Sequence, residues 1–255
     1  MATDVLNKVA TRALRPWRES RLRRYLDPDH TELLRFGTSH GGWTIPAWAA
    51  STGGVAVCVG AGEDISFDVA LNKAGFSVFT LDPTPRAKEH VEAVLRAVNG
   101  GPAQSINGSP NEVYALQGFA RNRFTFAEVG LWNENATMRF YAPKNPAHVS
   151  HSIVNLQRTA EWFEARCQTL AAFCISHQIE KIDILKLDVE GSEYAILENI
   201  LQNGPLPTVL CVEFDEIRNP LDGGLMDRIV NIIEAMQHAG YKLRHIENSN
   251  VLFTR

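Results

Sequence analysis

The sequence predicts an α/β fold built on a Rossmann-like, doubly wound and mostly parallel sheet. Three observations carry that expectation. Apolar, strand-like runs alternate with helical patterns from residue 55 to 239, the order of parallel doubly wound folds. Val55–Val59 is continuously apolar and bounded by glycines, as in a strand buried on both faces. Tyr241–Ile246 and Val251–Thr254 flank the polar Glu247–Asn250, so the chain ends in a hairpin that puts one antiparallel strand into the sheet.

Each element follows from its local pattern. Residues 3–24 read as a helix with Val5, Leu6, Val9, Ala13, Leu14 and Trp17 on one face, and Thr31–Phe36 as a second short helical piece. Gly41-Gly42-Trp43 opens an extended stretch to Pro46. After the strand Val55–Val59 come a helix over Asp64–Lys73, a strand over Phe76–Leu81 and a helix over Pro85–Val98. Asn99–Asn111, rich in Gly, Asn, Ser and Pro, reads as a loop. Phe124–Val129 and Met138–Tyr141 look like strands about a polar turn, Ala142–Ser152 is irregular, and Glu161–Cys167 is ambiguous. Helix Thr169–His177, strand Ile182–Leu187, helix Ser192–Leu201, strand Val209–Phe214 and helix Leu225–Ala239 complete the alternation. The expected division is a helical extension over 1–36 and one domain over 37–255.

Composition excludes several classes. The 255 residues are 45% hydrophobic and 21% charged, ordinary for a globular protein and unlike a disordered one. The net charge of −4 gives no overall reason to bind nucleic acid. That charge is uneven: residues 1–24 carry +5 and the remainder −9. The basic arm reads as a solvated helix face, or as an attachment to an anionic membrane surface or acceptor, and residues 1–36 as a segment that could pack on a partner subunit of a homo-oligomer. No apolar run is long enough for a membrane span, and none stands where a secretory leader would. Cys58, Cys167, Cys174 and Cys211 lack CxxC spacing and read as reduced thiols, which points to a cytoplasmic protein.

Gly60-Ala61-Gly62-Glu63-Asp64 follows the first core strand and opens a helix, the place where open parallel sheets bind ligands. A dinucleotide fingerprint needs Gly or Ala at position 65, which is Ile65. Glu63 and Asp64 would also repel a pyrophosphate at that helix start. They suit a cationic ligand without phosphate, a description that S-adenosylmethionine fits. Asp82, followed by Pro83 and Thr84, ends the second core strand about 20 residues past the glycines, placed for ribose hydroxyls.

Lys186-Leu187-Asp188-Val189-Glu190-Gly191-Ser192-Glu193 is the most specific stretch. Here the chain resembles the FkbM-type methyltransferases, a branch of the class I family that uses S-adenosylmethionine. Gly60–Asp68, Phe79–Thr84, Gly130–Glu134 and Val149–Ser152 also match, so the resemblance covers residues 40–255. It implies a seven-stranded sheet with an antiparallel last strand. It implies S-adenosylmethionine as methyl donor, S-adenosylhomocysteine as product, and an adenine flanked by Gln104–Gly108 and Glu128–Leu131, including Gly108, Gly130 and Leu131.

Methyl transfer to a hydroxyl needs alignment and a proton acceptor. Candidate bases are Asp188, Glu190 and His151. Asp188 and Glu213 close neighbouring strands and resemble a hard-cation layout in which Mg²⁺ could acidify a hydroxyl. Trp43, Trp48, Trp132 and Trp162 are either core or stacking platforms for a sugar, and His40 stands near the acceptor mouth. The reading that results is an O-methyltransferase of a sugar or other small-molecule hydroxyl. N- or C-methylation, a nicotinamide-dependent oxidoreductase and a non-catalytic S-adenosylmethionine-binding module are the alternatives.

Overall fold

A computed structural model describes residues 17–18, 20–27, 30–51, 53–145 and 148–255. β1 (Leu33–Phe36) and β2 (Trp43–Pro46) form a small antiparallel pair that leads into the short α1 (Ala47–Ala50). β3 (Gly54–Val59), α2 (Ser66–Lys73), β4 (Phe76–Leu81) and α3 (Pro85–Val98) follow. Next come β5 (Ser105–Ile106), β6 (Ser109–Val113), β7 (Phe124–Ala127), β8 (Gly130–Leu131), β9 (Ala136–Tyr141) and β10 (Trp162–Gln168). The last third holds α4 (Leu170–Ser176), β11 (Ile184–Leu187), α5 (Glu193–Asn203), β12 (Val209–Glu213), α6 (Leu225–His238), β13 (Lys242–Glu247) and β14 (Asn250–Thr254).

Seven strands make the main sheet, in the order β13-β14-β12-β11-β3-β4-β7. β7, β4, β3, β11 and β12 run parallel, and β14 is antiparallel to both its neighbours. The order reverses between β3 and β11, so the crevice beyond their C-terminal ends is the topological switch point.

Side-chain alternation divides the sheet into two cores. Val57, Val59, Leu185, Leu187, Leu210 and Val212 face α4, α5 and α6 through Phe173, Ile196 and Ile229. Ala56, Cys58, Ile184, Val209 and Cys211 face the other way, onto Phe67, Val91 and Trp43. Both faces are buried, which is why these strands read as unbroken apolar runs. All four cysteines are free and buried.

Several expectations are corrected. Thr31–Phe36 is not helical: Leu33–Phe36 pairs with Trp43–Pro46, because Gly37 at φ +87° turns the chain back on itself. The boundary expected at 36/37 therefore cuts through a hairpin. The loop Asn99–Asn111 contains the β5–β6 hairpin, turned at Asn107 and Gly108, both at positive φ. Phe124–Val129 and Met138–Tyr141 do hold strands, but in different sheets: β7 joins the main sheet, while β9 pairs with β10 in a separate sheet of order β8-β10-β9.

The helix expected over 3–24 lies largely outside the described residues. Its visible end packs on the same chain: Leu22 is fully buried, and Arg18 donates to the Ile217 carbonyl at 2.8 Å. Asp27 N–H donates to the Leu243 carbonyl, whereas Arg23 and Arg24 remain exposed. Among the described residues, no helix is long and apolar enough to cross a membrane.

Candidate active site

A cleft of about 260 Å³ opens at the switch point. It is lined by Gly60, Ala61, Gly62, Glu63, Asp64, Asp82, Pro83, Thr84, Gly130, Leu131, His151, Asp188, Glu190 and Glu213, and by His40 at one side. Phe140 and Ile153, which the sequence did not mark, also line it, as do Asn107 from the expected adenine flank and Val149, Ser150 and Ser192 from the matched motifs. Gly108 does not line it. Its neighbour Asn107 does, because the tight hairpin turn directs the Asn107 N–H onto the Glu63 carbonyl at 2.9 Å. None of the four tryptophans reaches the cleft: Trp43 is core, Trp132 packs beside the core, Trp48 is exposed, and Trp162 lies under the Arg139 guanidinium at 4.2 Å.

The glycine loop is held from two sides. Gly60 has φ +87°, and a Cβ there would stand 2.0 Å from the Asp188 carbonyl oxygen. Only glycine permits that approach. Asp82 Oδ2 accepts from Ala61 N–H at 2.9 Å and Gly62 N–H at 3.1 Å, and Oδ1 accepts from the N–H and hydroxyl of Thr84. Four donors fill the acceptor capacity of a carboxylate. Asp82 thus shapes the loop, rather than standing free for ribose hydroxyls as expected.

The expected repulsive pair at the helix start is also modified. Glu63 is bound by Arg86 at 2.9 Å to both oxygens, and Arg86 also donates to the His148 carbonyl at 3.2 Å. Asp64 accepts from the Thr38 hydroxyl at 2.6 Å and from Gly41 N–H and Ser66 N–H, fixing the β1–β2 turn against the cleft. The helix consequently begins at Ser66, two residues later than its pattern suggests.

The opposite wall is built by the ends of β11 and β12. Lys186, 2% exposed, lies between Cys58 and Cys211 in the sheet register. It donates to the Gly60 carbonyl and lies 3.3 Å from Asp188. Burial opposes its charge, yet Asp188 and Asp68 hold its pKa above the ordinary lysine value. Glu213 is 2.8 Å from Arg218 and accepts from the Ser249 hydroxyl. Lys186 and Arg218 are the counter-charges of Asp188 and Glu213, the two strand-end acids of the hard-cation layout. Among the described residues no group of three or more His, Cys, Asp or Glu side chains is placed to hold a metal ion.

Glu190 stands apart. Its backbone has φ +53°, strained for a side-chain-bearing residue, and its carbonyl accepts from the Ser152 hydroxyl. Burial, and then repulsion from Asp188, raises its carboxyl to about 7. Behind it, burial also raises Glu193, to about 8, and raises Asp215. His151 lies on a segment over the cleft, its Nδ1 3.1 Å from the Val149 carbonyl and its ring edge-on to Phe163.

The cleft can therefore accept a proton at Glu190 and hold a ligand against a close backbone loop. Six carboxylate residues line it, and no lysine or arginine does among the described residues. A comparison with curated proteins finds no match. A family model described as the methyltransferase FkbM domain matches residues 56–243, from within the first core strand to the start of the terminal hairpin. The β3 glycine loop and the β11 acids both fall in that span, and the chain belongs to the FkbM methyltransferase family.

Proposed function

We propose that the protein transfers a methyl group from S-adenosylmethionine to a hydroxyl of a sugar or other small molecule. The observation that carries this reading is the cleft lining: among the described residues six acids and no lysine or arginine, with a glycine loop that comes against the Asp188 carbonyl. Such a lining favours a cationic sulfonium with an ammonium group and disfavours the pyrophosphate of a nicotinamide dinucleotide. Family membership likewise supports transfer over hydride chemistry and over a non-catalytic module.

When bound, S-adenosylmethionine supplies an electrophilic methyl group. The residues suited to hold it are Gly60, Ala61 and Gly62 by close backbone approach, with Asn107, Gly130 and Leu131 on the flank. Glu190 receives the proton of the acceptor hydroxyl, since a carboxyl near 7 is matched to base work at neutral pH. Asp188, fixed by Lys186, and Ser150, hydrogen-bonded to Glu190, orient that base. Phe140, Val149 and Ile153 shield the reacting atoms from water.

Titration calorimetry with S-adenosylmethionine, S-adenosylhomocysteine and NAD tests the reading. Binding of the two sulfur nucleosides and not of NAD is expected. At about 100 times the dissociation constant, either adds about 2.7 kcal/mol of stability. Binding of NAD alone would overturn the reading.

A further inference from the structure

Ser192 occupies the N-cap position of α5, where serine ordinarily turns its hydroxyl onto the first free N–H groups of the helix. It does not do so here. Its backbone is helical, with φ −86° and ψ −3°, in place of the extended conformation a capping serine adopts, and its side chain makes no capping bond. Glu193 Oε1 instead accepts from Gly191 N–H at 2.9 Å, one residue ahead of the cap position. Ser192 is 2% exposed, and its Oγ has no hydrogen-bond partner. A buried hydroxyl without a partner is costly, and native structures rarely leave one unexplained. This one belongs to a residue that lines the cleft, beside Asp188, Glu190 and Glu213.

We propose that Ser192 is an acceptor-binding residue, whose buried hydroxyl is completed by a hydroxyl of an uncharged acceptor. The inference rests on the proposed methyl transfer and extends it to the acceptor's chemistry. A serine hydroxyl both donates and accepts, as does the alcohol it would meet. It stands two residues beyond Glu190, on the wall opposite the glycine loop, and so belongs to the acceptor's side of the cleft. The acids around it set the acceptor's charge class. A phosphate or carboxylate here would face Asp188, Glu190 and Glu213, with no lysine or arginine among the described lining residues to receive it.

Ser192→Ala tests the assignment with three readouts. Thermal unfolding of the variant matches that of the wild type, because the hydroxyl caps nothing; a clear loss of stability would show a structural bond and overturn the proposal. Calorimetric affinity for S-adenosylhomocysteine is unchanged; a tenfold loss would place Ser192 on the donor side and overturn it. Transfer from methyl-tritiated S-adenosylmethionine is then followed in a small-molecule extract of the source cells, split by anion exchange at neutral pH. Label appears in the unretained fraction, and the variant needs about ten times more of that fraction for half-maximal rate at unchanged maximal rate. Label retained by the exchanger, or an unchanged half-saturation, would overturn the proposal. A wild-type enzyme that binds S-adenosylhomocysteine and labels only anionic acceptors refutes this inference and leaves the methyltransferase reading intact. One that does not bind S-adenosylhomocysteine refutes both.

Discussion

Replacing Lys186 by methionine removes the strut between the two walls of the cleft. The ammonium contacts the Gly60 carbonyl and Asp188, and it offsets the buried Asp68 of α2. Removing one partner of a buried pair costs about 3–5 kcal/mol, because the other charge is left uncompensated. Two features reduce that here. Methionine fills most of the lysine volume, and the Asp188 side chain is 32% exposed and can rehydrate. The expected loss is about 3 kcal/mol. Part of it depends on pH. Burial raises the Asp68 carboxyl and Lys186 lowers it, so without the lysine it rises further. A carboxyl whose folded pKa is raised binds its proton more tightly in the folded state. Stability is then full below the unfolded pKa and falls as pH increases through the folded one. The added loss approaches about 1.4 kcal/mol per pH unit across that window. Urea unfolding of both proteins across the pH range from about 4 to about 9 reads it. A deficit below about 1 kcal/mol throughout, or one that changes nowhere in that range, would refute the account of Lys186 as a compensating buried charge.

Three further outcomes are expected. Gly60→Ala places a Cβ 2.0 Å from the Asp188 carbonyl at φ +87°; a left-handed side-chain-bearing residue costs about 1–2 kcal/mol before the clash is counted. Urea unfolding should show about 3 kcal/mol lost, and calorimetry a matching collapse of S-adenosylhomocysteine affinity; retention of both would remove the close-approach argument. Glu190→Gln lowers the turnover rate about 10²–10⁴-fold with donor affinity kept. In the wild type, activity rises with pH through about 7 as the base ionises, and the variant lacks that limb; if the limb persists, the base lies elsewhere, with His151 next in line. Arg86→Ala changes stability by under about 1 kcal/mol, since both partners are about a third exposed. It nevertheless frees the His148 carbonyl, so amide exchange over residues 148–151 accelerates; unchanged exchange would show that the segment is held by its other contacts.

The sequence was most legible where one physical rule dominates. Val55–Val59 and Val209–Val212 are apolar on both faces, which only a central strand requires, and the glycine loop followed because ligands gather at such strand ends. Leu33–Phe36 was misread because its pairing depends on the partner strand Trp43–Pro46 and on the reversal at Gly37, not on its own spacing. The β5–β6 hairpin carried a usable signal, since Asn107-Gly108 is the preferred pair for a two-residue turn. In the cleft, the acids could be read from their places at strand ends. Their counter-charges could not: Arg86 reaches Glu63 across 23 residues, and Arg218 meets Glu213 only after a short helical turn. Ser192 was hidden because a serine before a helix ordinarily means a cap, and only its backbone angles reveal otherwise.

Those counter-charges decide what the acidity of the cleft means. A cluster of six unpaired carboxylates would neutralise itself by taking up protons and would lose its selectivity. Here Lys186 approaches from within β11, Arg86 from α3 and Arg218 from beyond β12, and none of the three joins the lining. Asp188, Glu63 and Glu213 each have a basic partner outside the lining, so the surface presented to a ligand remains acidic. Glu190 has no such base within contact among the described salt bridges, and it is the lining carboxyl raised to about 7. The same arrangement therefore separates two duties that the sequence merges into one acidic motif: charged walls that select an uncharged or cationic ligand, and one carboxyl left free to exchange a proton near neutrality.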